Sequence, residues 1–325
     1  MTTMKALVAT DYGQPEQLTV AELPVPRPGP GQLQLRVAAA SINPPDTYAI
    51  TGAFGRVLEF PYVPGTDFAG TVTETGPGVT AYRVGDEVFG HALPRSLRAA
   101  TAGAARPSLS TGALAEYVVL EADTPKVAHR PPSLPADQAA ALVIPGSTAL
   151  VLRAVAAVQP GEKILVIGAT GATGLTTLPL LAAAKADITA TAATEAGGEL
   201  LRGLGADRII GHDPEGYPTG VDVVLNLILP EDRLAAAART LRPGGRFLTI
   251  IFPPPEPAKL GRDDVELHFI LDTDGKLGSM ATVAEGAISG ELATPIARRY
   301  RLDDAVRAVV EHARHHPLGK IVVQP

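Results

Sequence analysis

Residues 163–184, KILVIGATGATGLTTLPLLAAA, constrain the fold more than any other stretch of the chain. The apolar run Ile164–Ile167 reads as a fully buried strand, and Gly168, Gly171 and Gly174 follow at three-residue spacing before a second apolar segment of helical length. The predicted order is strand, glycine turn, helix. Such a turn lets backbone approach a pyrophosphate closely, and the free N–H groups and positive dipole end of the helix receive its charge. Alone the run is a weak signal, because the commoner dinucleotide fingerprint has one residue between its first two glycines. Pro179 runs against the scheme, since inside the predicted helix it removes a hydrogen bond and bends the axis.

The downstream sequence strengthens the assignment. Residues 186–194, 207–210, 221–228, 244–251 and 265–271 read as further strands, separated by Ala/Leu/Arg segments of helical character such as 231–241. Strands alternating with helices predict an α/β domain with a parallel, doubly wound sheet of Rossmann type. The first 125 residues differ. Lys5–Ala9, Leu18–Glu22, Gln32–Ala38, Ala69–Glu74, Glu87–Gly90 and Ala115–Leu120 are short strand candidates punctuated by Gly and Pro, the pattern of an all-β, barrel-like domain. A chain of 325 residues has room for both domains.

The absence of cysteine excludes disulfides, a nucleophilic thiol and every zinc site that depends on thiolates, so redox chemistry has to come from a cofactor. His312, His315 and His316 form the only histidine cluster; at the end of a predicted helix over Asp303–Ala313 they complement its dipole rather than hold a metal. A net charge of −6 offers no general attraction for nucleic acid or an anionic membrane. No apolar run reads as long enough to span a membrane and the apolar stretch of MTTMKALVA reads as too short for a signal peptide, so a cytoplasmic location is expected.

GATGATG at 168–174, LGAD at 204–207, LRPGG at 241–245, YRLDDA at 300–305 and GKIVV at 319–323 occur in one chain with SINPPDTY at 41–48, PGTDFAGTV at 64–72, YRVGDEVFG at 82–90 and GALAEYVV at 112–119. Over essentially its full length the sequence resembles the medium-chain dehydrogenase/reductase superfamily, and within it the zinc-independent quinone oxidoreductases. The resemblance implies a GroES-like β domain for the substrate (1–124), a Rossmann domain for NADPH (125–275) and a return segment completing the first domain (276–325). It also implies a homodimer, with 265–271 as an edge strand able to continue a sheet across two subunits.

Zinc-dependent relatives carry Gly-His-Glu where this chain has Gly65-Thr66-Asp67, and a cysteine near Asn43, so no metal is expected. Without a Lewis acid, hydride transfer to an electron-poor double bond is the easier reaction: the developing enolate oxygen needs only hydrogen-bond donors and a proton. Candidate donors are Asn43, Tyr48 and Thr66; the resemblance points to Tyr48 as hydrogen-bond donor or general acid, with solvent as the alternative proton source, and to Asn43 as an anchor for the substrate or the nicotinamide ribose. Asp46 and Asp67 are expected to be structural, through bonds to loop backbone.

The cofactor contacts expected are Thr148, the turn Gly168-Ala169-Thr170-Gly171-Ala172-Thr173-Gly174, Asn226, Ile251, Phe252 and, by its motif, Lys320. NAD enzymes place an acidic residue at the end of the second strand; here the strand ends Thr191-Ala192-Ala193-Thr194, which favours NADPH. Many relatives have a basic residue next, whereas this chain has Ala196-Gly197-Gly198. That leaves Arg202, Thr191 and Thr194 as partners of a 2′-phosphate, or Glu195 as partner of a ribose. Two departures bear on substrate: the Arg-containing insertion 91–111, with Arg95, Arg98 and Arg106, and the proline-rich FPPPEP at 252–257. The function expected is NADPH-dependent reduction of a quinone or of an α,β-unsaturated carbonyl compound. The alternatives are a dedicated enoyl reductase of secondary metabolism and a low-turnover NADPH-binding sensor or structural protein.

Overall fold

A computed structural model describes all residues except 1, 54, 57 and 93–111, so the three arginines of the insertion lie outside the described residues. The chain forms two compact units: Met1–Ile144 with Thr273–Ser289 and Ile296–Pro325, and Pro145–Asp272 with Gly290–Pro295. The first division therefore falls after Ile144 rather than after residue 124.

The first unit begins with an antiparallel pair, β1 (Thr3–Val8) and β2 (Thr19–Pro24). It continues through β3 (Gln32–Ser41), α1 (Pro44–Thr51), β4 (Asp67–Thr75), β5 (Glu87–His91), β6 (Tyr117–Glu121) and β7 (Val127–His129). Five of these strands build an antiparallel sheet in which β3 carries both β4 and β6, and β5 bridges β4 to β7. Its core holds Leu33, Leu35, Phe68, Val72, Val88 and Leu114. Full burial of each such side chain stabilises the unit by roughly 1.5–3 kcal/mol. Strand β7 and the first half of α2 (Ala136–Ala156) explain the late boundary, because β7 joins this sheet and Ser41 Oγ donates to the Ala140 carbonyl at 3.0 Å.

Helix α2 corrects a second expectation. It is 21 residues long with a mean hydropathy of 1.7 over its most apolar window, enough by length and composition to cross a membrane. Inside the fold 72% of that window is buried, so packing consumes the apolar surface.

In the second unit β8 (Lys163–Ile167), α3 (Ala172–Ala183), β9 (Asp187–Thr191), α4 (Glu195–Gly203), β10 (Arg208–Ile210), β11 (Val221–Asn226), α5 (Leu234–Ala238), β12 (Leu241–Thr249) and β13 (Glu266–Phe269) alternate as expected. Every pair is parallel, in the order β10-β9-β8-β11-β12-β13. Ile164 and Val166 face one apolar cluster with Leu175, Leu178 and Leu201, while Leu165 and Ile167 face the other with Leu234 and Phe247. Both faces of the strand are covered, which is why it reads as an unbroken apolar run. Direction along the sheet reverses between β8 and β11, where open α/β sheets bind ligands. Helix α3 continues through Pro179, its position set by burial of Leu175, Leu178 and Leu181. The helix expected at 231–241 shortens to a 3₁₀ turn, Glu231–Arg233, and α5, because pairing of β12 with β11 starts already at Leu241.

The return segments supply α6 (Met280–Ser289), β14 (Ile296–Arg301), α7 (Ala305–Arg314) and β15 (Lys320–Gln324). Strand β15 pairs antiparallel with β3 and parallel with β14, completing a seven-stranded sheet in the first unit. His312 lies in the last turn of α7 and is pushed down to about 4 by burial, then by Lys320 and His316. Among the described residues no group of three or more His, Cys, Asp or Glu is arranged to hold a metal ion.

Candidate functional site

The glycine turn links β8 to α3, and each glycine has its own reason to lack a side chain. Gly168 has φ +84°, and a Cβ there would lie 2.9 Å from Ile228 Cγ2. At Gly174 a Cβ would sit 2.3 Å from the Ala169 carbonyl oxygen, so helix and turn pack backbone to backbone. Around Gly171, the residue preceding α3, a Cβ would meet only the Gly168 oxygen at 3.5 Å. Its bareness answers no packing demand of the protein itself. It leaves an open cradle in front of the first turn of α3, whose leading N–H groups have no intrahelical acceptor. This geometry fits a pyrophosphate.

At the end of β9 two threonines hold backbone in place. Thr191 is buried and its Oγ1 accepts the Gly168 N–H at 2.9 Å, so it pins the glycine turn. Thr194 caps α4, its Oγ1 accepting from the Gly197 N–H at 3.1 Å. A Cβ on Gly197 would meet Thr170 Cγ2 at 3.1 Å and Thr194 Oγ1 at 3.2 Å, a tight fit against both side chains. Arg202 is exposed, and its Nη1 lies 3.9 Å from where a Cβ on Gly198 would sit, so the guanidinium folds back along α4. Glu195 is exposed at the first position of α4.

At the ends of β11 and β12 the Asn226 amide shapes its own turn. Its Nδ2 donates to the Leu229 carbonyl and Thr249 Oγ1, while its Oδ1 accepts from the N–H groups of Ile228 and Leu229. Thr249, which sequence reasoning passed over, also accepts the Ile251 N–H at 3.2 Å. Phe252 is 47% exposed, Ile251 half-buried, and Thr148 half-buried on α2.

The first unit gathers a second cluster, almost entirely buried. Asn43 precedes α1; its N–H donates to Asp46 Oδ2 at 2.7 Å, and its Nδ2 donates to Asp67 Oδ2 at 2.8 Å and to Thr66 Oγ1 at 3.2 Å. Lys320 Nζ donates to Asn43 Oδ1 at 2.5 Å and to the Ile42 carbonyl at 2.6 Å, and lies 3.8 Å from Asp67 Oδ2. Lys320 was expected at the cofactor; instead its ammonium is engaged within this cluster. Ser41 Oγ and the Ile144 N–H complete the donors to Asp67 Oδ2. Burial pushes Asp46 up to about 7 and His91 down to about 3, leaving the imidazole neutral with its Nδ1 3.8 Å from Asp67 Oδ1. Tyr48, on α1, is 44% exposed.

Residues 29–132 match the family model of the alcohol dehydrogenase GroES-like domain, and residues 204–323 that of the zinc-binding dehydrogenases. Over 260 residues the chain is 31% identical to a quinone oxidoreductase of Mus musculus, covering 76% of this chain and 73% of that protein. The chain belongs to the quinone oxidoreductases of the medium-chain dehydrogenase/reductase superfamily.

Two further similarities extend the picture. A mycocerosic acid synthase-like polyketide synthase of Mycolicibacterium smegmatis is 31% identical over 316 residues, which is 88% of this chain and 14% of that protein. A solved mycobacterial protein complexed with NADPH aligns with a TM-score of 0.84 at 26% identity, over 99% of this chain and 100% of that one. As a member of the quinone oxidoreductase family, the chain is an oxidoreductase. Its GroES-like and Rossmann parts correspond to the sheets of the first and second units.

Proposed function

We propose that this oxidoreductase uses NADPH to reduce a quinone or the conjugated C=C of an α,β-unsaturated carbonyl compound. The observation that carries the reading is the open cradle at Gly171, at the switch point of the parallel sheet, with no carboxylate at the end of β9. Ala172, Thr173 and Gly174 hold the pyrophosphate through their N–H groups, and Thr191 keeps the turn in shape by accepting from Gly168. Arg202 is the cation assigned to the 2′-phosphate, since from the last turn of α4 its guanidinium reaches back toward Gly198. When bound, the reduced nicotinamide supplies the hydride. Tyr48 donates a hydrogen bond to the acceptor oxygen as negative charge develops there, and Asn43 and Thr66 support the start of α1 beneath it.

The experiment is to mix the purified chain with NADPH and a panel of quinones and enones while following nicotinamide absorbance. Acceptor-dependent oxidation is the expected result. A tight NADPH complex that no acceptor oxidises would overturn the reductase reading in favour of a nucleotide-binding protein with little turnover.

A narrower reading, a dedicated enoyl reductase, is supported by the match of 88% of the chain to a segment of a polyketide synthase. Much faster turnover of an acyl thioester than of free enones would select it. We further assign a homodimer to the exposed edge of β13, whose backbone groups are unpaired on one side in the sheet order.

A further inference from the structure

We infer that Lys320 is a positioning residue for this reaction: its buried ammonium is the cation that fixes the Asn43 amide, and through it the start of α1 and the placement of Tyr48. The inference rests on the proposed role of Tyr48, and it reaches a residue whose motif pointed to the cofactor.

The geometry of the cluster leaves Asn43 a single orientation. Its Oδ1 accepts from the Lys320 ammonium, and its Nδ2 donates to the Asp67 carboxylate. Flipping the amide would set an N–H against the ammonium and an oxygen against the carboxylate, breaking both contacts. Asn43 in turn is the residue from which α1 starts. Its backbone N–H donates to Asp46 Oδ2 at 2.7 Å, and the Asp46 N–H donates back to the Asn43 carbonyl at 3.0 Å, so the first turn is tied to this residue. Tyr48 lies five residues further, in the same eight-residue helix. A helix this short has little stability of its own, so its cap and its packing decide whether it is formed.

The cation is also matched to its site. Lys320 is 4% exposed, and its Nζ has two short acceptors and a carboxylate at 3.8 Å. Asp67 Oδ2 accepts from Ser41, Asn43 and the Ile144 N–H, an arrangement that suits an ionised carboxylate, which only accepts. Burial drives the Lys320 ammonium down and the Asp67 carboxyl up, and each opposes the shift of the other. The paired donors and acceptors favour the charged form of both.

The link is long in sequence. Lys320 arrives on β15, paired with β3, and reaches a residue 277 positions earlier. The last strand of the chain thus supplies the cation for the first helix.

The test uses the full chain and two variants, Lys320→Met and the double variant Asp67→Asn with Lys320→Met. The double variant removes the carboxylate that the single one would strand in the interior. Hydrogen exchange of the α1 amides is read without substrate. The α1 amides are expected to exchange at least about tenfold faster in the double variant, with the strands of the second unit unchanged. In the same variant kcat for a quinone or enone is expected to fall by about a hundredfold, the scale set by misplacement of a reacting group by about 1 Å. The NADPH dissociation constant should stay within about twofold, since the hydrogen bonds of the ammonium go to Ile42 and Asn43. Unchanged α1 exchange in a folded double variant would overturn the inference. So would wild-type kcat together with a lowered melting temperature, the mark of a merely structural ion pair. If the wild-type chain reduced no acceptor, the functional reading would fall, while the exchange experiment would still decide whether Lys320 orders α1.

Discussion

Replacing Gly171 by alanine separates binding from folding. The backbone there has φ −70° and ψ 161°, which alanine adopts without strain, and the new Cβ would meet only the Gly168 oxygen at 3.5 Å, an ordinary contact. Restricting the unfolded chain stabilises the fold by about 0.4–1 kcal/mol. Alanine is a poorer residue than glycine at the start of a helix, which costs an amount of similar size. The two effects nearly cancel, so the melting temperature of the cofactor-free protein is expected to stay close to wild type. The methyl group does occupy the cradle. Displacing a pyrophosphate far enough to lose one charge-assisted hydrogen bond costs about 1.5–3 kcal/mol, or roughly a tenfold to hundredfold loss of NADPH affinity. Thermal unfolding and calorimetric titration measure the two quantities. Gly174→Ala is the control, because its Cβ would lie 2.3 Å from the Ala169 oxygen and must destabilise the protein even without cofactor, by about 1–3 kcal/mol. An unchanged NADPH affinity in Gly171→Ala would refute the assignment of the cradle to the pyrophosphate.

Three further outcomes are expected. Tyr48→Phe lowers kcat by about a hundredfold while NADPH affinity stays within about twofold; equal turnover would reject a role for the hydroxyl in proton donation. Arg202→Ala weakens NADPH about tenfold and leaves NADH unchanged, as competition titrations would measure; equal losses for both cofactors would reject the 2′-phosphate contact. Asp46 is pushed up to about 7 by burial, above the value of about 4 for an unfolded chain. The folded state therefore holds this proton more tightly, and the stabilisation it contributes is complete below about pH 4 and lost as pH rises through about 7. Thermal melts from pH 4 to 8 should show the wild type losing stability relative to Asp46→Asn as pH rises; parallel profiles would contradict this.

The parallel sheet was legible because its central strands are covered on both faces, so Ile164–Ile167 and Val221–Asn226 stand out as apolar runs between glycine and helical segments. Edge and return strands were harder. Val127–His129 has three residues, and Ile296–Arg301 carries arginines on an exposed edge, so neither shows the expected alternation. Polar residues at strand ends are the least separable from sequence. Thr191, Thr194 and Asn226 stand at the carboxyl edge where ligands bind, and each accepts backbone N–H groups there: Thr194 and Asn226 from their own turns, Thr191 from the glycine turn at Gly168. Both uses need the same residue types at the same places, so local pattern does not separate them. The Lys320–Asn43–Asp67 cluster was hidden for another reason: its members come from β15, the start of α1 and β4, which only the folded sheet brings together.

Reduction of an enone with NADPH deuterated at the transferring position of the nicotinamide tests the central claim most directly. Deuterium is expected on the conjugated carbon of the product, with solvent protons at the neighbouring carbon. Product formed without deuterium, or label appearing only from deuterated water, would contradict hydride transfer from a cofactor seated on the glycine turn.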